Sequence, residues 1–407
     1  MCKHKTWMRY IAILLALVLL FCGCTGPGSP ATVPGNTTPP EDTGPIPSVR
    51  TGIRSQGTFV TDNAFECTED GIYVVYQSAY NAFLLYGDHG SDRLIKLCGR
   101  PDCDHTGEDC NAHFYSCQNI CYYDGYLYAV EVAGNRPRLY QMNLDGSGRV
   151  SITSSDDIEE TGGFSGVTSP LVCNGVFFFY LTNVNEDGET EVEPFYYLLD
   201  GSMERPEPMN IGFPAFSDGE NLLSFEWAHD GIEGQQGVAK WDPETNTSTY
   251  LTDIPLNIAG GYWGVEAGYY LQDGIIYRLN YADGSSVALF DTGLEGFYQM
   301  TCFPDCIVIS KARTEEERMA AKEIEGQVLY LYDWDFQLQG QVEIDYPLGI
   351  SAEYVLCGET SDRLLLAARW IGMPEYYIEK SDFGTGNIEI HSFNLPELEW
   401  PEMDEEG

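Results

Sequence analysis

Along residues 119–153, apolar and polar side chains alternate in four short runs separated by turn residues. Asn119 to Val130 and Arg138 to Ile152 each hold two aromatic and β-branched stretches, which meet at Asp124-Gly125 and at Asp145-Gly146. Alternation with a period of two predicts half-buried strands. Asp-Gly between such runs predicts a tight hairpin, because glycine takes the positive φ that a two-residue turn matched to strand twist demands. The segment reads as two hairpins in series, a four-stranded antiparallel meander. A lone sheet of that size leaves two open edges and hides too little apolar surface to stand by itself.

The chain repeats the pattern. The second-hairpin signature recurs at Tyr86 to Asp92, Leu199 to Ser202, Asp242 to Asn246, Ala282 to Ser285, Asp333 to Phe336 and Asp382 to Gly386. The first-hairpin turn recurs at Asp70-Gly71, Asn174-Gly175, Asp218-Gly219, Ala267-Gly268, Asp305-Cys306 and Ser361-Asp362. Together with the template these make seven units, spaced at roughly fifty residues, the period of propeller blades. The expected fold is all-β, a β-propeller of about seven four-stranded blades, with six or eight as the alternatives. A miscount would fall in the shortest unit, Tyr262 to Thr292, and Thr51 to Val60 is a candidate extra strand for the last blade. Up-and-down strand order puts the Asp-Gly turns on one rim and the second-to-third-strand loops, with the links between blades, on the other. Those second-rim segments are long and varied: Asn183 to Glu193, His229 to Gln236, Lys311 to Gly326 and Trp370 to Pro374. Function on rigid scaffolds gathers in such loops.

The ends carry different information. Lys3, Lys5 and Arg9 precede an uncharged apolar run, Ile11 to Phe21, which ends in Cys22-Gly23-Cys24. Charge, length and small-residue exit predict a signal peptide over 1–23, and the run falls short of the ~20 apolar residues that a membrane-spanning helix needs. The Gly-Cys ending resembles the lipobox of bacterial lipoproteins. That resemblance implies cleavage after Gly23 and a diacylglyceryl group on Cys24; ordinary secretion with cleavage nearby is the alternative. Residues 24–50 are rich in Gly, Pro, Ser and Thr and read as a flexible tether. Residues 51–395 hold the propeller, and 396–407 form an acidic tail. The expected location is the extracellular face of the bacterial cytoplasmic membrane, with the lipid as the membrane contact.

The formal net charge of −42 comes from 63 acidic and 21 basic residues. Such a surface repels phosphate backbones, which excludes a nucleic-acid partner, and anionic bilayers, which leaves the anchoring to the lipid.

Leu97 to His113 interrupts the repeat, after the first blade and on the variable rim. It holds Cys98, Cys103, His105 and Cys110 in a stretch nearly free of apolar side chains. Three thiolates and one imidazole suit a closed tetrahedral zinc site, which would order the segment and leave no ligand position open for catalysis. Exported proteins also use cysteines for disulfides, and Cys117 could complete two pairs, so metal, disulfides and free thiols all stand as readings. The segment, as an insert over 98–117, resembles one of Cys-Pro-x-Cys-x-His-x-Cys-Asn-Ala type in uncharacterised lipoproteins of Gram-positive, often gut-dwelling bacteria. Cys98, Cys103, His105, Cys110, Asn111 and Ala112 match it. The resemblance implies lipobox, tether and propeller in that order, the propeller being similar to that of the low-density-lipoprotein receptor. It implies a shape and no activity.

Other candidates are weaker. Cys67, Cys121 and Cys302 each stand three residues before a first-hairpin turn, which predicts a small apolar slot in the innermost strand. Cys117 with Cys121, and Cys302 with Cys306, are redox candidates without the Cys-x-x-Cys spacing. Asn183 to Glu193 spaces oxygen atoms like a calcium loop, but Pro194 stands where the closing glutamate belongs, so calcium is not expected. Trp227, Trp263 and Trp370 fall near the variable rim, where aromatic faces would stack on sugar rings; capping the blade interfaces is the competing role. Glu315 to Ile324 is the one helix-like patch. Gly-x-Ser-x-Gly is absent, and no glycine-rich phosphate loop follows a strand. The expected function is non-enzymatic binding of a glycan, peptide or envelope partner. A polysaccharide hydrolase or lyase using rim carboxylates, and a purely structural envelope component, are the alternatives.

Overall fold

The computed structural model describes residues Phe65 to Glu397, apart from 154–162, 185–189, 228–235, 256–260, 312–326, 345–353 and shorter breaks of one to four residues. Seven sheets follow one another along the chain. Blade 1 holds β1 (Phe65–Cys67), β2 (Gly71–Gln77), β3 (Ala82–Asp88) and β4 (Ile95–Lys96), with β5 (His113–Phe114) also on β3. Blade 2 holds β6 (Cys117–Tyr123), β7 (Tyr126–Ala133), β8 (Arg136–Asn143) and β9 (Val150–Thr153). Blade 3 holds β10 (Gly163–Cys173), β11 (Val176–Val184), β12 (Thr190–Leu198) and β13 (Glu207–Pro208). Blade 4 holds β14 (Ala215–Ser217), β15 (Leu222–Trp227), β16 (Gln236–Asp242) and β17 (Thr247–Asp253). Blade 5 holds β18 (Gly261–Trp263), β19 (Ala267–Gln272), β20 (Ile275–Asn280) and β21 (Ser286–Asp291). Blade 6 holds β22 (Tyr298–Cys302), β23 (Ile307–Lys311), β24 (Gln327–Tyr332) and β25 (Leu338–Ile344). Blade 7 holds β26 (Tyr354–Glu359), β27 (Arg363–Ala368), β28 (Pro374–Glu379) and β29 (Ile390–Ser392). Every blade is one contiguous antiparallel meander, and together they form a seven-bladed β-propeller.

The turns explain the residues that mark them. Asp124 and Gly125 have φ of 47° and 82°, and Asn174 and Gly175 have 48° and 78°; these positive pairs are what a twist-matched two-residue hairpin requires. The outer turns use aspartate differently, as an acceptor for a backbone N–H two residues on. Ser147 donates to Asp145 and Ser202 to Asp200, both at 2.8 Å, and Glu244 to Asp242 and Ser285 to Asp283, both at 3.0 Å. Bonds from the serine hydroxyls and backbone amides hold the carboxyls of Asp145, Asp200 and Asp283 below their ordinary pKa. Part of the acidic load thus serves to build turns. Blade 5 departs from expectation. Ala267 and Gly268 open β19 and do not form the turn before it. Its tight turn is Asp273-Gly274 (φ 51° and 78°), which joins the second strand to the third on the opposite rim. Asp-Gly fits any two-residue hairpin, so the dipeptide marks a turn and not a rim.

Alternation along the strands sends successive side chains to opposite seams. Phe177 and Phe179 pack toward blade 2, while Val176 and Phe178 pack toward blade 4. Leu364 and Leu366 face blade 6, and Leu365 faces blade 1. Five buried clusters fill the seams from blade 2/3 to blade 6/7. A sixth joins blades 7, 1 and 2, so the ring is closed by apolar packing. Polar contacts reinforce that last seam: Leu94 N–H donates to Asn394 O at 3.0 Å, and Asn394 N–H to Asp92 O at 2.6 Å. Lys380 ties blade 7 to blade 6 through Asp305 at 2.8 Å, and pairs within its own blade with Glu359 at 2.7 Å. Blades 1 and 7 each hold four strands of their own among the described residues. Thr51 to Val60, the helix-like patch Glu315 to Ile324, and Cys24 with its tether lie outside the described residues.

Candidate metal centre

The Cys/His segment grows out of a strand. β4 and β5 pair with adjoining halves of β3, with Tyr86 opposite Ile95, Leu85 opposite Lys96, Phe83 opposite His113 and Ala82 opposite Phe114. Leu84, between the halves, accepts the Leu97 N–H at 2.9 Å and donates its own N–H to Ala112 O at 2.7 Å. Leu97 and Ala112 therefore share one register position. The outer strand of blade 1 is a single strand cut in two, and residues 98–111 leave it at the cut. The insert thus rises from the outer edge of a blade, where the ladder resumes as it stopped, and not from the link between blades on the variable rim.

Within the excursion Cys98 N–H donates to Lys96 O at 2.8 Å, Cys103 N–H to Arg100 O at 3.3 Å and His113 N–H to Cys110 O at 3.1 Å. His105 adopts φ 61°, a left-handed value that few non-glycine residues take. Its Nδ1 lies 3.4 Å from Cys110 Sγ. One ligand atom each from Cys98, Cys103, His105 and Cys110 falls within 4.8 Å of all the others. Zinc with Zn–S near 2.3 Å and Zn–N near 2.0 Å sets tetrahedral ligand atoms roughly 3.5–3.8 Å apart, so a contraction of roughly 1.3 Å at most completes the geometry. Donor types, number and spacing fit, and the cluster could bind a metal ion such as zinc. Cys117 takes no part. It sits on β6, wholly buried in the apolar cluster of blades 7, 1 and 2. The cluster is left with three sulfurs, an odd number that disulfide pairing cannot use up.

The electrostatics favour one thiolate and oppose a second. Burial disfavours ionisation of Cys98, but the Arg100 and Asn111 amides and the Cys103 and Cys110 thiols outweigh it and hold its pKa below the usual thiol value. Burial pushes Cys110 up to about 12; the Ala112 amide acts against this, and the Cys98 and Cys103 sulfurs add to it. A bound dication reverses such a penalty, because a coordinating thiol gives up its proton outright. Burial and the Lys96 cation keep the His105 imidazole below its ordinary pKa, with Asp104 opposing. Neutral imidazole is the form that ligates.

Blade 2 supports both halves of the cut strand through its outer hairpin. Gly146 has φ 77°, and a Cβ there would lie 2.6 Å from Leu97 O. Arg149 Nη1 donates to His113 O at 2.6 Å, and its guanidinium lies 4.8 Å from the Phe114 ring centre and 5.3 Å from that of Tyr140. Nothing in the Cys/His segment points to these two residues. The Asp145-Gly146 turn signature marks the first, and no sequence signal marks the second.

The remaining candidates sort differently. Trp263 is 3% exposed, set edge-on to Phe225 at 5.8 Å across the seam of blades 4 and 5. It caps an interface and cannot present a face to a sugar. Gly268 makes room for its ring, since a Cβ there would meet the indole at 2.5 Å. The Trp227 side chain and all of Trp370 lie outside the described residues. The described ends of the calcium-like segment pair as antiparallel strands, with Asn183 opposite Glu191 and Leu181 opposite Glu193; residues 185–189 lie outside the described residues. Cys302 and Cys306 are buried, which pushes both thiols well above their ordinary pKa and away from redox reactivity.

No protein-family model and no curated protein matches the chain. Among solved structures it is similar to TolB from Acinetobacter baumannii (15% identity, TM-score 0.35), covering 65% of this chain and 61%, less than two thirds, of that one. It is also similar to the β-propeller domain of the Trilobed protease from Pyrococcus furiosus, at 12% identity over 68% of this chain and 84% of that one, TM-score 0.40. A third is the uncharacterized protein lmo1340 from Listeria monocytogenes EGD-e, at 9% identity over 69% of this chain and 89% of that one, TM-score 0.42.

Proposed function

We propose that the protein is a lipoprotein held through Cys24 at the extracellular face of the cytoplasmic membrane, with its propeller acting as a non-enzymatic binding module. Its ligand is an envelope glycan or peptide, and the Cys98, Cys103, His105, Cys110 centre holds zinc in a structural role. One contrast carries the binding reading. Connections between first and second strands run two to four residues in every blade, whereas those between second and third strands run from two residues at Asp273-Gly274 to fifteen at 312–326. The third-to-fourth strand connections, on the same rim as the first-to-second ones, run from four to ten residues, so that rim varies over a narrower range; the other changes most from blade to blade, as a recognition surface does and a purely structural ring need not.

The mature chain should sediment with purified envelopes of its host. Replacing 228–235 and 312–326 by Gly-Ser linkers is expected to abolish sedimentation while leaving the fold intact by circular dichroism, and the wild-type chain should release no soluble sugar. Release of reducing or unsaturated sugar by the wild-type chain would substitute a hydrolase or lyase for this reading. Sedimentation that survives both replacements would remove the variable rim from it.

A further inference from the structure

We infer that the metal is a splint: it rejoins the cut outer strand of blade 1 and, through that strand, clamps the outer hairpin of blade 2. The inference rests on the structural-zinc reading above and assigns the ion a mechanical task at a defined seam. β4 and β5 are two residues each, too short to hold a ladder alone. Their hydrogen bonds to β3 pin Leu97 and Ala112 against Leu84, but the fourteen residues 98–111 between them carry only Pro101 as an apolar side chain besides the cysteines, too little apolar surface to hold the halves together. Holding the ends of a segment of that length together costs entropy that these few bonds must offset. Cys98 directly follows Leu97, and Cys110 comes two residues before Ala112, so an ion held by both sulfurs fixes the two ends of the cut side by side. Cys103 and His105 complete the shell from the middle of the loop.

The consequence reaches blade 2 by two contacts, one to each half. Gly146 packs against the Leu97 carbonyl, where no side chain fits. Arg149 bonds the His113 carbonyl and lies over Phe114. The turn between β8 and β9 therefore rests on both sides of the cut and holds its place only while they stay together. The seams of blades 4 and 5, on the far side of the ring, share no residue with this arrangement.

Hydrogen exchange of the full mature chain, purified without chelator and compared with and without one equivalent of zinc, tests the splint. With zinc, segments 84–97, 112–116 and 143–151 should exchange slower by on the order of tenfold, and 236–291 should be unchanged, as expected of a locally cooperative unit. Zinc that binds while protection stays confined to 98–110 would overturn the splint and leave the metal reading standing. Failure to bind zinc at all would overturn both. If the zinc-free chain does not stay folded, Arg149→Gln in the zinc-loaded chain gives the second readout. The ion should be retained while 143–151 exchanges faster, and unchanged exchange at 143–151 would overturn the splint.

Discussion

Arg363→Ala is expected to destabilise the propeller by about 3 kcal/mol, the lower end of the range for removing one partner from a buried ion pair. The Arg363 side chain is 6% exposed and pairs with Glu379 through Nη2 at 3.0 Å and Nε at 3.1 Å. Its Nη1 donates to Ser91 O at 2.6 Å, and the guanidinium stacks 4.0 Å from the Tyr377 ring centre. Ser91 belongs to blade 1 and the rest to blade 7, so one side chain fastens the place where the ring closes without a shared strand among the described residues. Glu379 is 28% exposed, so water takes up part of the orphaned charge, which is why the lower end applies. The double variant Arg363→Met, Glu379→Gln removes both charges together and should cost less than the single one. Urea unfolding measures both. A single variant within about 0.5 kcal/mol of wild type, the ordinary range for surface changes, would show that the seam does not depend on this residue.

Cys24→Ser should move essentially all of the protein from the membrane fraction to the medium and abolish labelling by radioactive palmitate. The proposal gives the chain no other hold on the bilayer. Each acyl CH₂ buried contributes ~0.8 kcal/mol, so two or three chains anchor firmly and their loss releases. A net charge of −42 repels anionic headgroups, and no helix among the described residues is long and apolar enough to cross a membrane. Variant protein that stays with the membrane would contradict the anchor.

The blades were legible because their turns are chemical. Asp145, Asp200, Asp242 and Asp283 accept specific backbone N–H groups, so the residue type records the turn. In blade 5 the signal failed. β18 is three buried residues with no alternation to read, and Gly268, which resembles a turn glycine, is there to admit the Trp263 ring. The four metal-binding candidates were legible because they lie within thirteen residues of one another. Their place on the blade was not. That Leu97 and Ala112 share a partner in Leu84 is a property of strand pairing, and the support from Gly146 and Arg149 comes from another blade. Trp263 illustrates the same limit: an aromatic beside a rim loop reads alike whether it faces solvent or its neighbouring blade.

The most direct test is native mass spectrometry of the mature chain purified without chelator, with thiols counted before and after chelation. About one zinc per chain, with three thiols unmasked when it is withdrawn, is the result the Cys98, Cys103, His105, Cys110 centre predicts. A chain without metal and lighter by about two hydrogens would make the segment a disulfide loop and contradict the account.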